Sequence, residues 1–141
     1  MTTHIITPQE WGPHGWKFIH YVSLGYPENP TEEDKHKYKM FFISLKDVLP
    51  CSLCRNHYEE NYATMPLTDV ILSKRENVVR WVIDIHNVVN ASKNKPIIPY
   101  DEALKLINGN SECAQNKMNL IYLLIAILGG LVLIAVIYKK N

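Results

Sequence analysis

Apolar residues recur along this chain at three- and four-residue intervals from residue 11 to residue 108, and no stretch alternates like a half-buried strand. The pattern predicts helices. The second is the clearest: Tyr38, Phe41, Phe42, Leu45, Val48 and Leu49 trace one stripe behind Thr31-Glu32-Glu33-Asp34. Those four residues are a cap and first-turn acids that suit the helix dipole, and Pro50 stops the helix. Ahead of it, Trp11 to Leu24 forms a first helix with Trp16 and His20 one turn apart, closed by Gly25-Tyr26-Pro27 and Pro30. Behind it, Cys51 opens a third helix through about Ala63, followed by the loop Met65-Pro66-Leu67. Ser73 with Glu76 three residues on matches a capping box and is expected to start a fourth helix running to about Asn90. Its stripe is Val78, Val82, Ile85 and Val89, and the adjacent face carries Val79, Ile83, His86 and Asn90. Residues 91–99 read as a loop, and Asp101 to Ile107 as a short fifth helix.

The expected fold is therefore all-α: a four-helix bundle over residues 1–108 with one short perpendicular helix packed across it. A polar linker at 109–117 follows. Met118 to Tyr138 is then 21 residues without a formal charge, rich in Leu, Ile and Val, before a basic tail at 139–141. A bilayer core needs about 20 apolar helical residues, so this segment is expected to be a transmembrane helix. Lys139 and Lys140 favour a cytoplasmic tail by the positive-inside rule. The N-terminus, in contrast, has neither the basic nor the apolar region of a secretory signal, which favours a C-terminal anchor with a cytosolic domain.

Composition narrows the function. Fifteen basic against fourteen acidic side chains give a net charge of +1, which leaves no broad electrostatic footprint for nucleic acid. Three cysteines are too few for a secreted disulfide scaffold, and only Cys51 and Cys54 sit close together. Two thiols three residues apart at a helix start can close a small disulfide, and the unpaired amides there favour a thiolate. The pair can cycle. A zinc site is the alternative, built from Cys51, Cys54 and His57 with His86 or Cys113, and would make the chain a membrane-anchored adaptor without catalysis. A thioredoxin-like use of the motif needs a βαβ framework that a helical chain lacks. A redox dithiol also needs an electron acceptor, because alone it only exchanges with other thiols. Trp16 and His20, with His86, Asn87 and Asn90, offer the ring faces and hydrogen-bonding groups that suit a flavin.

The ordered set Trp11-Gly12-x3-Trp16-x3-His20, Tyr26-Pro27, Pro50-Cys51-x2-Cys54-x2-His57, Trp81-x4-His86-Asn87-x2-Asn90 and Lys95-Pro96 resembles the Erv/ALR family of FAD-linked sulfhydryl oxidases, including the compact forms of large DNA viruses. The resemblance spans roughly residues 11 to 96. It implies a five-helix fold, a homodimer, and FAD held non-covalently beside the dithiol. It implies that a substrate thiol attacks Cys51, the more exposed partner, while Cys54 faces the flavin, with electrons ending on oxygen as hydrogen peroxide. Gly12, Trp16, His20, Tyr26, His86, Asn87, Asn90 and Lys95 would line the FAD site, with Lys93 beside them. Gly12-Pro13 stands where many members have Gly-Arg, and His14 is the expected substitute. Members often carry a second, shuttle dithiol, but here only Cys113 remains, which predicts a dithiol partner such as a thioredoxin-like carrier and a host or virion membrane as the setting.

Overall fold

The computed structural model describes residues 6–107, 120–128 and 130. Contacts divide the chain into Met1–Ala103 and Leu104–Asn141. The first unit contains α1 (Pro8–Leu24), α2 (Glu32–Val48), α3 (Ser52–Thr64), a 3₁₀ turn (Ile71–Ser73) and α4 (Arg75–Ser92). A fifth helix, α5, occupies residues 100–107, and residues 120–128 are helical; no strand occurs among the described residues.

The helix ends follow local chemistry. α1 starts three residues before the expected Trp11, because the backbone N–H of Thr7 donates to Glu10 Oε2 at 2.8 Å and Pro8 supplies a first residue already set for a helix. α2 begins at the predicted cap: Asp34 N–H donates to Thr31 Oγ1 at 3.2 Å, and Thr31 N–H to Asp34 Oδ2 at 2.9 Å. The expected capping box at Ser73 does not form. Ser73 lies in the 3₁₀ turn with its hydroxyl donating to Val70 O at 2.7 Å, and Lys74 caps α4 instead. α4 runs two residues past Asn90, and Asn94 at φ 53° takes the left-handed position that turns the chain away.

α1 packs along α4 and α2 along α3, with α3 also touching α4. Tyr26, Phe42, Leu67, Leu72, Val78, Val82 and Ile85 are fully buried between them. Each such aromatic or branched side chain contributes roughly 1.5–3 kcal/mol by leaving water. The buried polar atoms of these core aromatics are matched: Tyr26 Oη donates to Leu72 O at 2.6 Å, Tyr58 Oη to Phe42 O at 2.9 Å, and Trp81 Nε1 to Met65 O at 2.8 Å. Trp81 also meets Phe42 edge-on at 5.1 Å between ring centres. The stripe of α2 turns inward as expected except for Val48, which is exposed.

The predicted membrane span falls mostly outside the described residues, of which only 120–128 and 130 belong to it. No helix among the described residues is long and apolar enough to cross a membrane.

Candidate active site

Cys51 is the residue that caps α3. Pro50 ends the preceding turn, and Cys51 takes an extended backbone (φ −115°, ψ 122°) so that its Sγ accepts the N–H of Cys54 at 3.2 Å. The two sulfurs are bonded, with Cα atoms 5.1 Å apart, inside the range that suits a disulfide. Arg55 fixes the corner from behind: its backbone N–H donates to Cys51 O at 3.0 Å and its guanidinium to Leu49 O at 2.6 Å. Lys46 and Glu59, 2.9 Å apart, tie α2 to α3 alongside. As residues both cysteines are half-buried, so overall exposure does not separate their roles.

A bonded pair offers no thiolate to a metal, which removes the zinc reading its two sulfur ligands. Among the described residues no three His, Cys, Asp or Glu side chains converge to hold an ion. Cys113 lies outside the described residues.

The second feature is assembled across the fold. Trp16 stacks on His86 with ring centres 4.1 Å apart and planes 8° from parallel, and His20 Nε2 lies 2.9 Å from His86 Nδ1. Burial pushes the pKa of His20 down to about 4. Burial, then the charges of His20 and Lys95, holds His86 at about 4 as well. Both rings are therefore neutral near pH 7, and one proton joins them. If His86 donates it, His20 carries its own proton on Nδ1; if His20 donates, its Nδ1 is a bare acceptor. Either way, Nδ1 of His20 is buried without a protein partner.

The remaining expected residues divide. Gly12 has open space where a Cβ would stand, with no atom within 4 Å. His14, Lys93 and Lys95 are exposed, and Asn90 is buried, its carbonyl accepting the N–H groups of Lys93 and Lys95 at 3.0 and 2.9 Å. Tyr26 points into the core, edge-on to Tyr38 at 4.7 Å. Asn87 is engaged on both sides of its amide by Ile98: it donates to Ile98 O at 2.8 Å and accepts Ile98 N–H at 3.0 Å. Sequence reading passed over Trp11 as a site residue, yet its indole Nε1 is also buried without a partner. Gly15 permits this, since a Cβ there would stand 2.9 Å from the Trp11 ring.

A closed dithiol on a helix start and an uncharged imidazole–indole cluster between α1 and α4 define a small helical redox module. The chain belongs to the Erv1 / Alr family, whose profile matches residues 13–108. It is 53% identical over 102 residues to a protein of Acanthamoeba polyphaga mimivirus named probable FAD-linked sulfhydryl oxidase, covering 72% of this chain and 71% of that protein. An African swine fever virus protein named FAD-linked sulfhydryl oxidase is 30% identical over 92 residues, covering 65% of this chain and 75% of its own. Among solved structures, the yeast Erv1 core superposes with a TM-score of 0.66 at 25% identity, covering 74% of this chain and 86% of that one. The FAD binding domain of Erv1 from Saccharomyces cerevisiae gives 0.63 at 28% identity, covering 70% and 90%.

Proposed function

We propose that this chain is an FAD-dependent sulfhydryl oxidase that forms disulfide bonds in partner proteins. The observation that carries this reading is the Cys51–Cys54 disulfide closed on the N-terminus of α3. The roles of the two sulfurs are those the family resemblance implies. A substrate thiolate attacks Cys51 Sγ, the Cys51–Cys54 bond breaks, and the bonding pair leaves on Cys54. The substrate's second thiolate then attacks its own sulfur in the mixed disulfide and releases Cys51 as a thiolate. Two substrate thiols have become a disulfide, and the chain's disulfide has become a dithiol. The N–H of Cys54 and the helix start favour negative charge on Cys51 as it leaves.

The buried, unmatched Nδ1 of His20 and Nε1 of Trp11, with the open face at Gly12, fit a flat ligand that brings its own hydrogen-bonding edge. Gly12, His14, Trp16, His20, His86, Asn90, Lys93 and Lys95 are the proposed holders of FAD; of the other two expected residues, Tyr26 is fully buried with its hydroxyl on Leu72 O, and the Asn87 amide is taken up by Ile98. When bound, FAD supplies an acceptor for the dithiol's two electrons and passes them to O2, giving hydrogen peroxide. The neutral histidines keep a cationic ring out of that cluster near pH 7.

The purified chain is expected to be yellow, with flavin absorption that changes on adding a dithiol. Cys54→Ser should abolish oxygen consumption while the colour remains. A colourless protein with one zinc per chain overturns the reading.

The same reading extends to setting and partners. The substrate is a dithiol protein, such as a thioredoxin-like carrier, and the oxidase works as a homodimer. Residues 118–138 anchor it in a host or virion membrane with the catalytic domain cytosolic, a reading supported by their uncharged length. Loss of membrane retention in alkaline carbonate only when these residues are deleted is the result expected.

A further inference from the structure

Arg55 follows the dithiol directly in sequence and brings a full positive charge into the same corner. Its guanidinium Nη1 donates to Leu49 O at 2.6 Å, and its backbone N–H donates to Cys51 O at 3.0 Å. One residue thus grips the carbonyls that bracket Pro50 and Cys51, the short step that carries the sulfur a substrate attacks. A helix C-terminus draws a cation on its own account, so the bond to Leu49 O alone would only cap α2.

Two further points tie Arg55 to the redox pair. Arg55 is half-buried, and among the described residues no carboxylate pairs with it; Lys46 alongside is matched by Glu59 at 2.9 Å, and Asp47 stands exposed to water, where salt screens it. The charge of Arg55 is therefore free to act on whatever forms at the start of α3. Thiolate charge forms there only when the disulfide opens. Opening also releases Cys51 from Cys54, and the Cys54 N–H on Cys51 Sγ and the two Arg55 bonds then keep that sulfur at the helix start. Both effects stabilise the dithiol more than the disulfide.

We propose that Arg55 is a positioning residue that raises the reduction potential of the Cys51–Cys54 pair and so makes its disulfide a stronger oxidant of substrate thiols. The inference deepens the thiol-oxidase reading and rests on it. A cation fixed within a turn of a half-buried thiolate favours the reduced pair by about tenfold, which for two electrons is about 30 mV.

The test poises the flavin-loaded full chain, without oxygen, in mixtures of reduced and oxidised glutathione. Two glutathione thiols become one disulfide as the Cys51–Cys54 disulfide becomes a dithiol. Acid quench, alkylation and mass spectrometry of the peptide holding both cysteines give the equilibrium constant. Arg55→Met should lower it about tenfold, and Arg55→Lys, which keeps the cation, should stay within about threefold of the unaltered chain. A cap without a redox role weakens the oxidised and reduced folds alike, which lowers the urea midpoint of both and cancels from this constant. An unchanged constant in Arg55→Met, or an equal drop in Arg55→Lys, therefore overturns the assignment. Oxygen uptake on adding a dithiol reports separately on the oxidase: a shifted constant without uptake refutes that reading and leaves the role of Arg55 standing.

Discussion

Cys51 and Cys54 lie three residues apart and meet through one turn of α3, whereas His20 and His86 lie 66 residues apart and meet because α1 packs along α4. The first arrangement is local and half open to water. The second is a tertiary product, stacked against Trp16 and closed enough to discharge both imidazoles. A thiol that must exchange with a large partner is served by an accessible helix start, which also lends the thiolate its amides. A cluster that must accept a flat, polar-edged ligand is served by burial, because an unmatched buried atom gains most from being met. The oxidase thus separates the part that meets protein from the part that excludes water.

The comparison is tested most strongly by acid. His20 and His86 titrate near 4 in the fold against 6.5 in the free side chain, so between those values the unfolded chain binds more protons. Stability accordingly rises with pH across that window; it is fully present above about pH 6.5 and lost as pH falls toward about 4. The loss should be on the order of 3 kcal/mol per histidine between about pH 7 and pH 4, less for the pair than twice that because the two rings are in contact. Urea unfolding followed by circular dichroism checks it, and His20→Phe should flatten the slope where a carboxylate origin would not. A smaller effect is expected at the other end. Replacing both Cys51 and Cys54 with Ser removes a loop of four residues, whose closure is worth about 2 kcal/mol, and should leave the acid response of the histidines unchanged. Smallest is Arg55→Met, which removes a charge-assisted bond to Leu49 O and should cost about 1 kcal/mol in unfolding free energy. A loss above that of the double Ser variant would mean that the corner is not the local device described.

The same contrast explains what could be read in advance. Thr31 with Asp34, Pro50 and the Cys51 cap are local signals, and α2 and α3 form where those residues place them. The Val78, Val82 and Ile85 stripe is buried as its spacing requires. Ser73 misled because a serine three before a glutamate fits a cap by spacing alone; whether its hydroxyl turns forward or back to Val70 depends on the 3₁₀ turn around it. Thr7 with Glu10 was as legible as Thr31 with Asp34, but the hydrophobic pattern starts only at Trp11. At the site, family resemblance supplied the residue set. Periodicity had no means of showing that His20 faces His86, or that Tyr26 is consumed by the core through Leu72 O. Val48 shows the reverse failure: its place on the stripe predicted burial, yet as the last residue of α2 it is exposed.

Asn87 uses one side chain to satisfy both the carbonyl and the amide of Ile98, giving an irregular loop the paired bonds a neighbouring strand would otherwise provide. The loop is thereby set on the helix's clock. Deuterium should reach the Ile98 amide when Asn87 lets go, and Asn87 sits inside α4, more than a turn before its end, so exchange at Ile98 is expected to follow openings of that helix rather than the fast fraying of an ordinary turn.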